Sequence, residues 1–541
     1  MADMQAAIRI LTDNNAFASG GPLPNAAMGA LFQAWPEAYP QSGCALDGKF
    51  YCMARTAGGK RLAIIAPGGN TCALSGGTGF EPETAETVTV DGADHLVAWC
   101  ALSHENADAL RAAFPFTKPR PCGAAVSFGM GDRLGLATPG HLQAAARFRV
   151  FPVLAQQSIR EMQRTGRSPE DVLDAAAWAV FQEGWRTGYG SDADHLKTED
   201  DVRATAAAGF TMFTVDPSDH IVDAADTMDI SSLSHELLAF FAEGSEENAE
   251  VRDQFIASYA SKEFNLEDPD TGFRHTFLLQ GIPFLRIAVK YLPAVRHAIS
   301  LYRLLQELKG NEPFDFEMSI DETATPTTPE AHLFVISELT RAGVRVQSLA
   351  PRFIGEFQKG IDYIGDTAAF REACRLHALI ARAMGGYKLS IHSGSDKFSI
   401  FPIVGELTRG LFHEKTAGTS YLEAVRVIAR ANPALYREMH AFALGRFETD
   451  RASYHVTANL ANIPPLDSLA DADLPALMDA VDPRQLMHIT YGSILTHRDD
   501  TGKFAFYDRF IKTLEDNEED HYRTVAAHFV KHCEALGLER A

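Results

Sequence analysis

DADHLKTEDDVRATAAAGFTMFTVDPSDH, residues 192–220, contains two short apolar runs on either side of a polar, alanine-rich segment. The runs at 192–196 and 210–216 are typical of buried strands, and the segment between them has the length and composition of a helix. Two strands that are joined by a helix form a parallel β-α-β unit. This segment therefore predicts an α/β protein that is built on a parallel sheet.

The same alternation of strand and helix continues through the chain after Pro121. Helical segments such as 169–185 and 329–343 carry apolar residues at a spacing of 3.6, and their proline-glutamate openings fit helix starts. Eight such units predict a (β/α)8 TIM-type barrel. The predicted strands are 123–130, 192–196, 210–216, 315–321, 346–353, 387–394, 411–420 and 486–492.

Two parts of the chain fall outside this alternation. Residues 1–120 consist of short apolar runs joined by turns, which predicts a small β-rich or α+β domain. PFTKPRP at 115–121 marks its end, because proline stops both helix and strand. The rest, 121–541, is the predicted catalytic barrel. Within it, 221–310 is predicted to be a helical insertion after the third predicted strand, with no strand of its own.

Composition excludes several classes of protein. The 541 residues carry a formal net charge of −22, and no run of lysine and arginine offsets this acidity, so we expect no nucleic-acid or anionic-membrane partner. No apolar run approaches the ~18 residues of a membrane span, and the first residues do not resemble a secretory signal. Seven cysteines without a Cys-x-x-Cys pair argue against a disulfide framework. We expect a reduced, cytoplasmic protein.

Polar side chains follow most of the predicted strands. The loops after the strands of a barrel build its active site, so these side chains should meet at one face. The glycines at 129, 131 and 135 do not form a dinucleotide-binding loop, because Leu134 stands where the third glycine is required. The predicted site residues are Asp194, His195, Lys197, Asp216, Asp321, Glu322, Arg352, His392, Ser393, Ser395, Lys397, Lys415 and Thr416.

Two histidines in this set suit a metal ion. Imidazole is a normal ligand of divalent transition metals, and two histidines with one carboxylate leave coordination positions open for a substrate. We predict a site formed by His195, His392 and a carboxylate from Asp321 or Glu322, with Glu322 assigned as the ligand. The other carboxylate could act as a base whose pKa is raised by its neighbour. The alternative is that both acids only cap a helix or face solvent.

Two of these segments resemble the class II fructose-bisphosphate aldolases. In that family the aspartate of an Asp-His pair donates a proton and the histidine binds zinc, which implies these roles for Asp194 and His195. YKLSIHSGSDKF, residues 387–398, is similar to an aldolase loop that binds zinc through a histidine and a substrate phosphate through small residues. The likeness implies that His392 is a metal ligand and that Ser393 and Ser395 contact the substrate.

Over residues 127–425 the chain resembles the tagaturonate epimerase family more closely. The resemblance implies an isomerase that interconverts D-tagaturonate and D-fructuronate with a divalent metal such as zinc, manganese or nickel, and some members act on fructose and tagatose instead. The substrate carboxylate suits Arg352, Lys397 and Lys415 as anchors. The segments that carry the resemblance are GDRLGLATPGHL, DADHLKTEDDV, GFTMFTVDPSDH, SIDETATPTTPEAH, APRFIGEFQKGIDYIGD, GYKLSIHSGSDKFSIFPI and KTAGTSYLEA.

The implied reaction inverts a carbon that lies β to a ketone, and enolisation alone does not reach that carbon. Retro-aldol cleavage of the adjacent carbon–carbon bond, rotation of the aldehyde and re-addition would invert it, with Asp194, Asp321 or Glu322 moving the proton. Two alternatives stay open: an aldolase that releases its fragments, and a sugar-binding barrel that has no catalytic activity. The expected partner is a keto-uronate or ketohexose. The oligomeric state, including a homo-oligomer, also stays open.

Overall fold

The computed structural model describes residues 2–19, 21–68, 79–241, 246–259 and 262–541. The N-terminal part folds into three helices, a six-stranded antiparallel sheet and a fourth helix. The elements are α1 Ala2–Asp13, α2 Ala16–Ser19, β1 Gly21–Pro22, α3 Asn25–Ala34, β2 Cys44–Leu46, β3 Lys49–Thr56, β4 Gly59–Pro67, β5 Pro82–Val90, β6 Ala93–Cys100 and α4 His104–Ala113. The strand order is β1-β2-β3-β4-β6-β5. The prediction of an N-terminal domain that contains a β-sheet is confirmed.

The central strands of this sheet, β3, β4 and β6, are buried on both faces over most of their length. On one face, Phe50 belongs to the same apolar cluster as Ile8 and Leu31 from the helices. On the other face, Tyr51 shares a cluster with Trp178 from the barrel that follows. The N-terminal sheet therefore rests against the outside of the barrel. The described cysteines are free thiols, and Cys72 lies outside the described residues.

The first half of the barrel contains four parallel strands and the helices that connect them. These elements are β7 Ser127–Met130, α5 Thr138–Ala145, β8 Phe151–Ser158, α6 Ile159–Thr165, α7 Pro169–Gln182, β9 Gly190–Leu196, α8 Glu199–Ala208 and β10 Met212–Val215.

An insertion follows the fourth barrel strand. It comprises α9 Ile230–Phe241, α10 Glu246–Ala257, β11 Glu263–Glu267 and β12 Arg274–Leu278, and the two strands pair as an antiparallel hairpin. The chain then enters the barrel's own helix, α11 Gly281–Lys309. The expectation that 221–310 contains no strand is therefore wrong.

The second half closes the barrel, with β16 pairing to β7 and every neighbouring pair parallel. The barrel prediction is confirmed, and because the strands are parallel, all of their carboxyl ends lie on one face. The elements are β13 Asp315–Ile320, α12 Pro329–Arg341, β14 Ser348–Pro351, α13 Thr367–Ala383, β15 Lys388–Ile391, α14 Phe401–Thr408, β16 Phe412–Thr416 and α15 Thr419–Ala431.

The last hundred residues are helical and pack on the barrel, where α20 contacts α5 and α15. Their helices are α16 Pro433–Asp450, α17 Val481–Ile489, α18 Tyr491–Thr496, α19 Tyr507–Asp516 and α20 Glu518–Ala535. Among the described residues, no helix has the length and apolar character that a bilayer crossing requires.

One predicted strand is wrong and one observed strand was not predicted, so the two errors cancel in the count of eight. The predicted strand at 486–492 lies in α17 and α18, because a helix that is buried over 483–489 has no polar face and resembles a buried strand in sequence. The missing strand is β8, whose eight residues are all buried. Its sequence FPVLAQQS contains a proline and two glutamines, which weaken the strand pattern. Because β8 was missed, the insertion follows the fourth strand rather than the third.

Candidate active site

A cavity of about 310 Å³ opens at the carboxyl ends of the barrel strands. Its walls come from seven of the eight barrel strands, through their ends or the loops that follow them, and from the C-terminal region. The predicted site residues that line it are Asp194, His195, Asp321, Glu322, Arg352, His392, Ser393, Ser395 and Lys415. The structure therefore brings together nine of the thirteen predicted residues.

The two histidines and Asp321 converge in this cavity. His195 Nε2 lies 3.8 Å from Asp321 Oδ1, and His392 Nδ1 lies 3.4 Å from Asp321 Oδ2. The imidazole centroids are 5.0 Å apart. One ligand atom from each of the three residues falls within 4.8 Å of the other two. Two imidazoles and one carboxylate at this spacing form a donor set that suits a divalent transition metal.

Carboxylates behind the histidines determine which ring nitrogen is free. His195 Nδ1 is 2.8 Å from Asp194 Oδ1, and His392 Nε2 is 2.6 Å from Glu317 Oε1. An ionised carboxylate only accepts, so these ring nitrogens carry a hydrogen, and the opposite nitrogens face the cavity and present lone pairs once each ring has lost its second proton. His392 Nδ1 is buried and makes no hydrogen bond. Partners of this kind fix the orientation and raise the basicity of metal-binding histidines.

The charges of these groups are strongly coupled. Burial alone would lower the pKa of His195, but Asp194 and Asp321 outweigh it and raise that pKa well above its ordinary value. Burial also opposes ionisation of Asp321, yet His392 and His195 lower its pKa well below the usual range. Burial likewise opposes ionisation of Asp194, but His195 and Lys415 lower its pKa well below the usual range, so this carboxylate stays ionised. Asp194 is therefore placed to hold His195 rather than to store a proton.

Of the two predicted carboxylates, Asp321 lies between the histidines. Glu322 lies further out, is exposed, and has Oε1 3.8 Å from Arg160 Nη2. With His195 and Asp216 it forms a second group of three whose donor atoms lie close together. The geometry thus favours Asp321 as the third ligand of the histidine pair, in place of the assigned Glu322, and leaves Glu322 beside it.

Two residues at the site have left-handed backbone conformations. His195 has φ 56° and Ser393 has φ 52°. Such conformations cost non-glycine residues about 1–3 kcal/mol each and concentrate at functional sites. The next residue, Gly394, is required by space as well, since a Cβ there would lie 1.4 Å from Glu414 Oε1. The turn after β15 is thus held in one strained form that places His392 and Ser393 at the cavity.

The C-terminal helices hold this turn from behind. Arg484 of α17 donates to Asp396 at 2.8 Å, and the Asp396 backbone N–H donates to His532 Nε2 at 3.0 Å. Asp396, His528 and His532 lie close enough to hold a metal. The lone pair of His532 Nε2 already accepts this hydrogen bond, however, so the cluster positions the turn instead.

Lys415 is buried beneath the histidines. Its ammonium lies 2.7 Å from Asp192 Oδ2, 2.9 Å from Asp194 Oδ1 and 2.8 Å from Glu317 Oε1. Burial disfavours its charge, but these carboxylates outweigh that cost and raise the pKa of Lys415 well above its ordinary value. An ammonium has three N–H groups. Lys415 therefore neutralises the barrel interior, and the structure does not support its predicted role as an anchor for the substrate carboxylate.

Four predicted residues do not line the cavity. Lys397 is buried and donates to the carbonyls of Gln358, Ile361 and Ser395, and burial lowers its pKa to about 7. The hydroxyl of Thr416 donates to the Gly129 carbonyl within the barrel wall. Lys197 donates to Ser218 and Asp219, and its ammonium is 3.6 Å from Asp216. Lys397 and Thr416 therefore have structural roles, and Lys197 and Asp216 lie at the edge of the site.

Several cavity residues were not predicted from the sequence. Arg133 is buried, pairs with Glu161 at 2.7 Å and stacks over Tyr491 at 3.7 Å. The other unpredicted residues with polar side chains in the cavity wall are Gln156, Ser158, Arg160, Glu161, Thr323, Lys359, Tyr454, His455 and His488. Arg160 and Glu161 follow the missed strand β8, and Tyr454 and His488 come from the C-terminal region. A correct assignment of β8 would have placed Arg160 and Glu161 at a strand end, where site residues are expected.

Comparison with known proteins gives one consistent family. Residues 39–536 match the sequence model of the UxaE family, described as tagaturonate epimerase. A tagaturonate/fructuronate epimerase of Thermotoga maritima is 45% identical over 440 residues, which are 81% of this chain and 86% of that protein.

Solved structures show the same likeness. The fructuronate-tagaturonate epimerase UxaE from Cohnella laeviribosi, in a complex with one glycerol, is 44% identical with a TM-score of 0.84, covering 93% of this chain and 97% of that one. The native form of the same protein gives a TM-score of 0.84, also at 44% identity, and covers 93% of this chain and 96% of that one.

Proposed function

Because the chain belongs to the tagaturonate epimerase family, we propose that it interconverts D-tagaturonate and D-fructuronate with a divalent metal ion at the barrel mouth. Members of this family are carbohydrate epimerases, a class of isomerase. The observation that carries the proposal is the paired arrangement of His195 and His392. Each ring donates one N–H to a buried carboxylate and turns its free nitrogen toward Asp321.

The residues present fit a metal ion of this kind. The unpartnered Nδ1 of His392, the free Nε2 of His195 and the carboxylate of Asp321 would hold it. When bound, such an ion acts as a Lewis acid that polarises a ketone and stabilises the negative charge that develops beside it. Asp194 and Glu317 keep both imidazoles in the tautomer that this role requires.

The protein's own groups then account for the proton transfers in a retro-aldol route. Glu322 is exposed at the cavity wall beside Asp321, and it would take the proton of the hydroxyl on the carbon to be inverted. Loss of that proton would turn the hydroxyl carbon into an aldehyde as the adjacent carbon–carbon bond breaks, and the electron pair of that bond would pass into the ketone fragment as its enolate. After the aldehyde rotates, the bond re-forms on the other face and Glu322 returns the proton to the new hydroxyl. The cavity must retain both fragments meanwhile.

The direct test is product analysis on the purified protein. D-Fructuronate, D-tagaturonate, D-fructose and D-tagatose are each incubated with the protein, with and without a chelator. We expect each uronate to yield the other, and we expect this conversion to stop when the chelator is present. Net release of three-carbon products would favour an aldolase instead. No conversion of any sugar together with no bound metal would favour a sugar-binding barrel.

Metal affinity should depend on pH through the histidines. Burial lowers the pKa of His392, but Asp321 and Glu317 outweigh it and raise that pKa to about 8 in the metal-free protein. A histidine must lose its proton before it binds a metal. We therefore expect the affinity for zinc or manganese to fall at least about tenfold per pH unit below pH 8. Competition titrations at pH 6, 7, 8 and 9 measure this, and an affinity that is constant over the range would contradict it.

Epimerisation in deuterium oxide tests the route. In carbon–carbon cleavage the inverted carbon keeps its own hydrogen, whereas removal of that hydrogen by a carboxylate would exchange it with solvent. We expect no deuterium at the inverted carbon after many turnovers, as read by NMR. One deuterium per turnover at that carbon would rule out the retro-aldol route and would indicate direct proton abstraction.

A further inference from the structure

Lys359 occupies the cavity wall beside the predicted metal ligands. It lies in the loop that follows β14, and its ammonium donates to the Ser393 hydroxyl at 2.6 Å. Ser393 directly follows His392, and both Lys359 and Ser393 line the cavity. Lys359 is therefore hydrogen-bonded to the residue that directly follows the proposed metal ligand His392.

Hydrogen-bond geometry leaves donors free at this point. The Ser393 oxygen accepts from Lys359, so the hydroxyl hydrogen must point elsewhere. The Lys359 ammonium has three N–H groups, and among the hydrogen bonds of the described residues it uses one, to Ser393. Two side chains thus present unused donors next to each other at the cavity. A pair of adjacent donors matches the two oxygens of a carboxylate.

Lys359 also has no anionic partner of its own. No Asp or Glu of the described residues lies within 4.0 Å of its ammonium, in contrast to Lys415 and Arg133. Burial and the nearby charge of Arg160 lower the pKa of Lys359 by more than Asp321, Glu161 and Glu322 raise it. These carboxylates therefore do not fully compensate the charge of this half-buried ammonium, and a bound anion would favour it further.

The backbone on both sides of Lys359 is fixed. The backbone carbonyl of Gln358 accepts from Lys397 at 2.8 Å, and its side-chain Oε1 accepts from the Thr457 backbone N–H at 3.0 Å and from Gln485 at 3.1 Å. The Gly360 carbonyl accepts from Arg484 at 2.8 Å. Since Ser393 is held by its left-handed conformation, both donors keep their places before a ligand arrives, which lowers the entropic cost of binding it.

We propose that Lys359 and Ser393 form the subsite that binds the carboxylate of an open-chain sugar acid. This inference rests on the proposed function and adds to it the residues that would select a uronate over a neutral ketose. The cations predicted for this role from the sequence, Lys397 and Lys415, are occupied by carbonyls and by carboxylates. Arg352 lines the same cavity and is the competing candidate.

The test compares Lys359→Gln, Lys359→Arg, Ser393→Ala and Arg352→Gln in the metal-loaded enzyme, with Lys503→Gln as an exposed-lysine control. A charge-assisted hydrogen bond of typical strength predicts that Lys359→Gln raises KM for D-fructuronate about 10- to 100-fold. Its kcat should change less than about threefold, because the anchor binds substrate and transition state alike. Lys359→Arg should recover most of the loss, Ser393→Ala should share part of it, and Lys503→Gln should show none.

Calorimetric titration of D-fructuronate into the same proteins measures Kd and does not depend on turnover. The subsite is therefore tested even if the wild type fails to epimerise. Absence of epimerisation in the wild type would count against the proposed function alone. An unchanged KM and Kd in both Lys359→Gln and Ser393→Ala would overturn the subsite. So would a selective loss of affinity in Arg352→Gln alone, which would place the carboxylate at that residue. Melting temperatures identify any variant that is merely unfolded.

Discussion

Replacing His392 or His195 by alanine is expected to remove the bound metal and to lower kcat/KM on the order of 10³-fold or more. Each ring supplies one of three donors, and two remaining donors hold an ion poorly when the third position is empty. His195→Ala also leaves Asp194 without its partner at 2.8 Å, and His392→Ala does the same to Glu317 at 2.6 Å. Metal analysis after dialysis and steady-state rates measure both effects.

His440→Ala is the matched control. His440 is buried in α16, makes no hydrogen bond through either ring nitrogen, and does not line the cavity. Its removal should cost stability without changing the metal content. If His195→Ala and His392→Ala both keep full metal occupancy, the ion is bound elsewhere and the assignment of the ligands is wrong.

The barrel was predictable because its signal is distributed over many units. Seven of the eight predicted strands overlap observed strands, and the failure to predict β8 did not hide the alternation of strand and helix. The errors occurred where burial is complete. Gln156 and Gln157 lie in a strand that is buried throughout, and α17 is buried over most of its length, so neither shows the polar side that distinguishes a strand from a helix.

The site was predictable only where its residues stand at strand ends. His195, Asp321 and His392 stand at or just beyond strand ends, and the structure places all three in the cavity wall. Glu317 was missed because it lies inside β13, where sequence alone does not show which face of a strand points into the barrel. Lys359 was missed because it lies in the middle of a long loop, eight residues after the end of β14.

The role of Lys415 in the barrel interior leads to the second large effect. Lys415→Met would leave Asp192, Asp194 and Glu317 buried together without their shared cation. Removing one partner of a buried ion pair commonly costs about 3–5 kcal/mol, and here three carboxylates lose the same partner. We expect a loss of at least this size in the free energy of unfolding, measured by urea titration, together with loss of activity because Asp194 and Glu317 hold the two histidines.

The sign of the pH dependence distinguishes this cause from a simple packing defect. Burial already raises the pKa of Asp192 to about 6 while Lys415 is present, and loss of the lysine should raise the pKa of all three carboxylates in the folded state. A carboxyl group whose folded pKa exceeds its unfolded value stabilises the fold at low pH and loses that contribution as pH rises. Lys415→Met should therefore be more stable near pH 5 than near pH 8.

Lys388→Met is the matched control, because Lys388 is buried in the barrel but bonds to Ser127, Cys122 and a carbonyl. If the free energy of unfolding of each variant falls by the same amount at pH 5 as at pH 8, Lys415 acts through packing and not through charge.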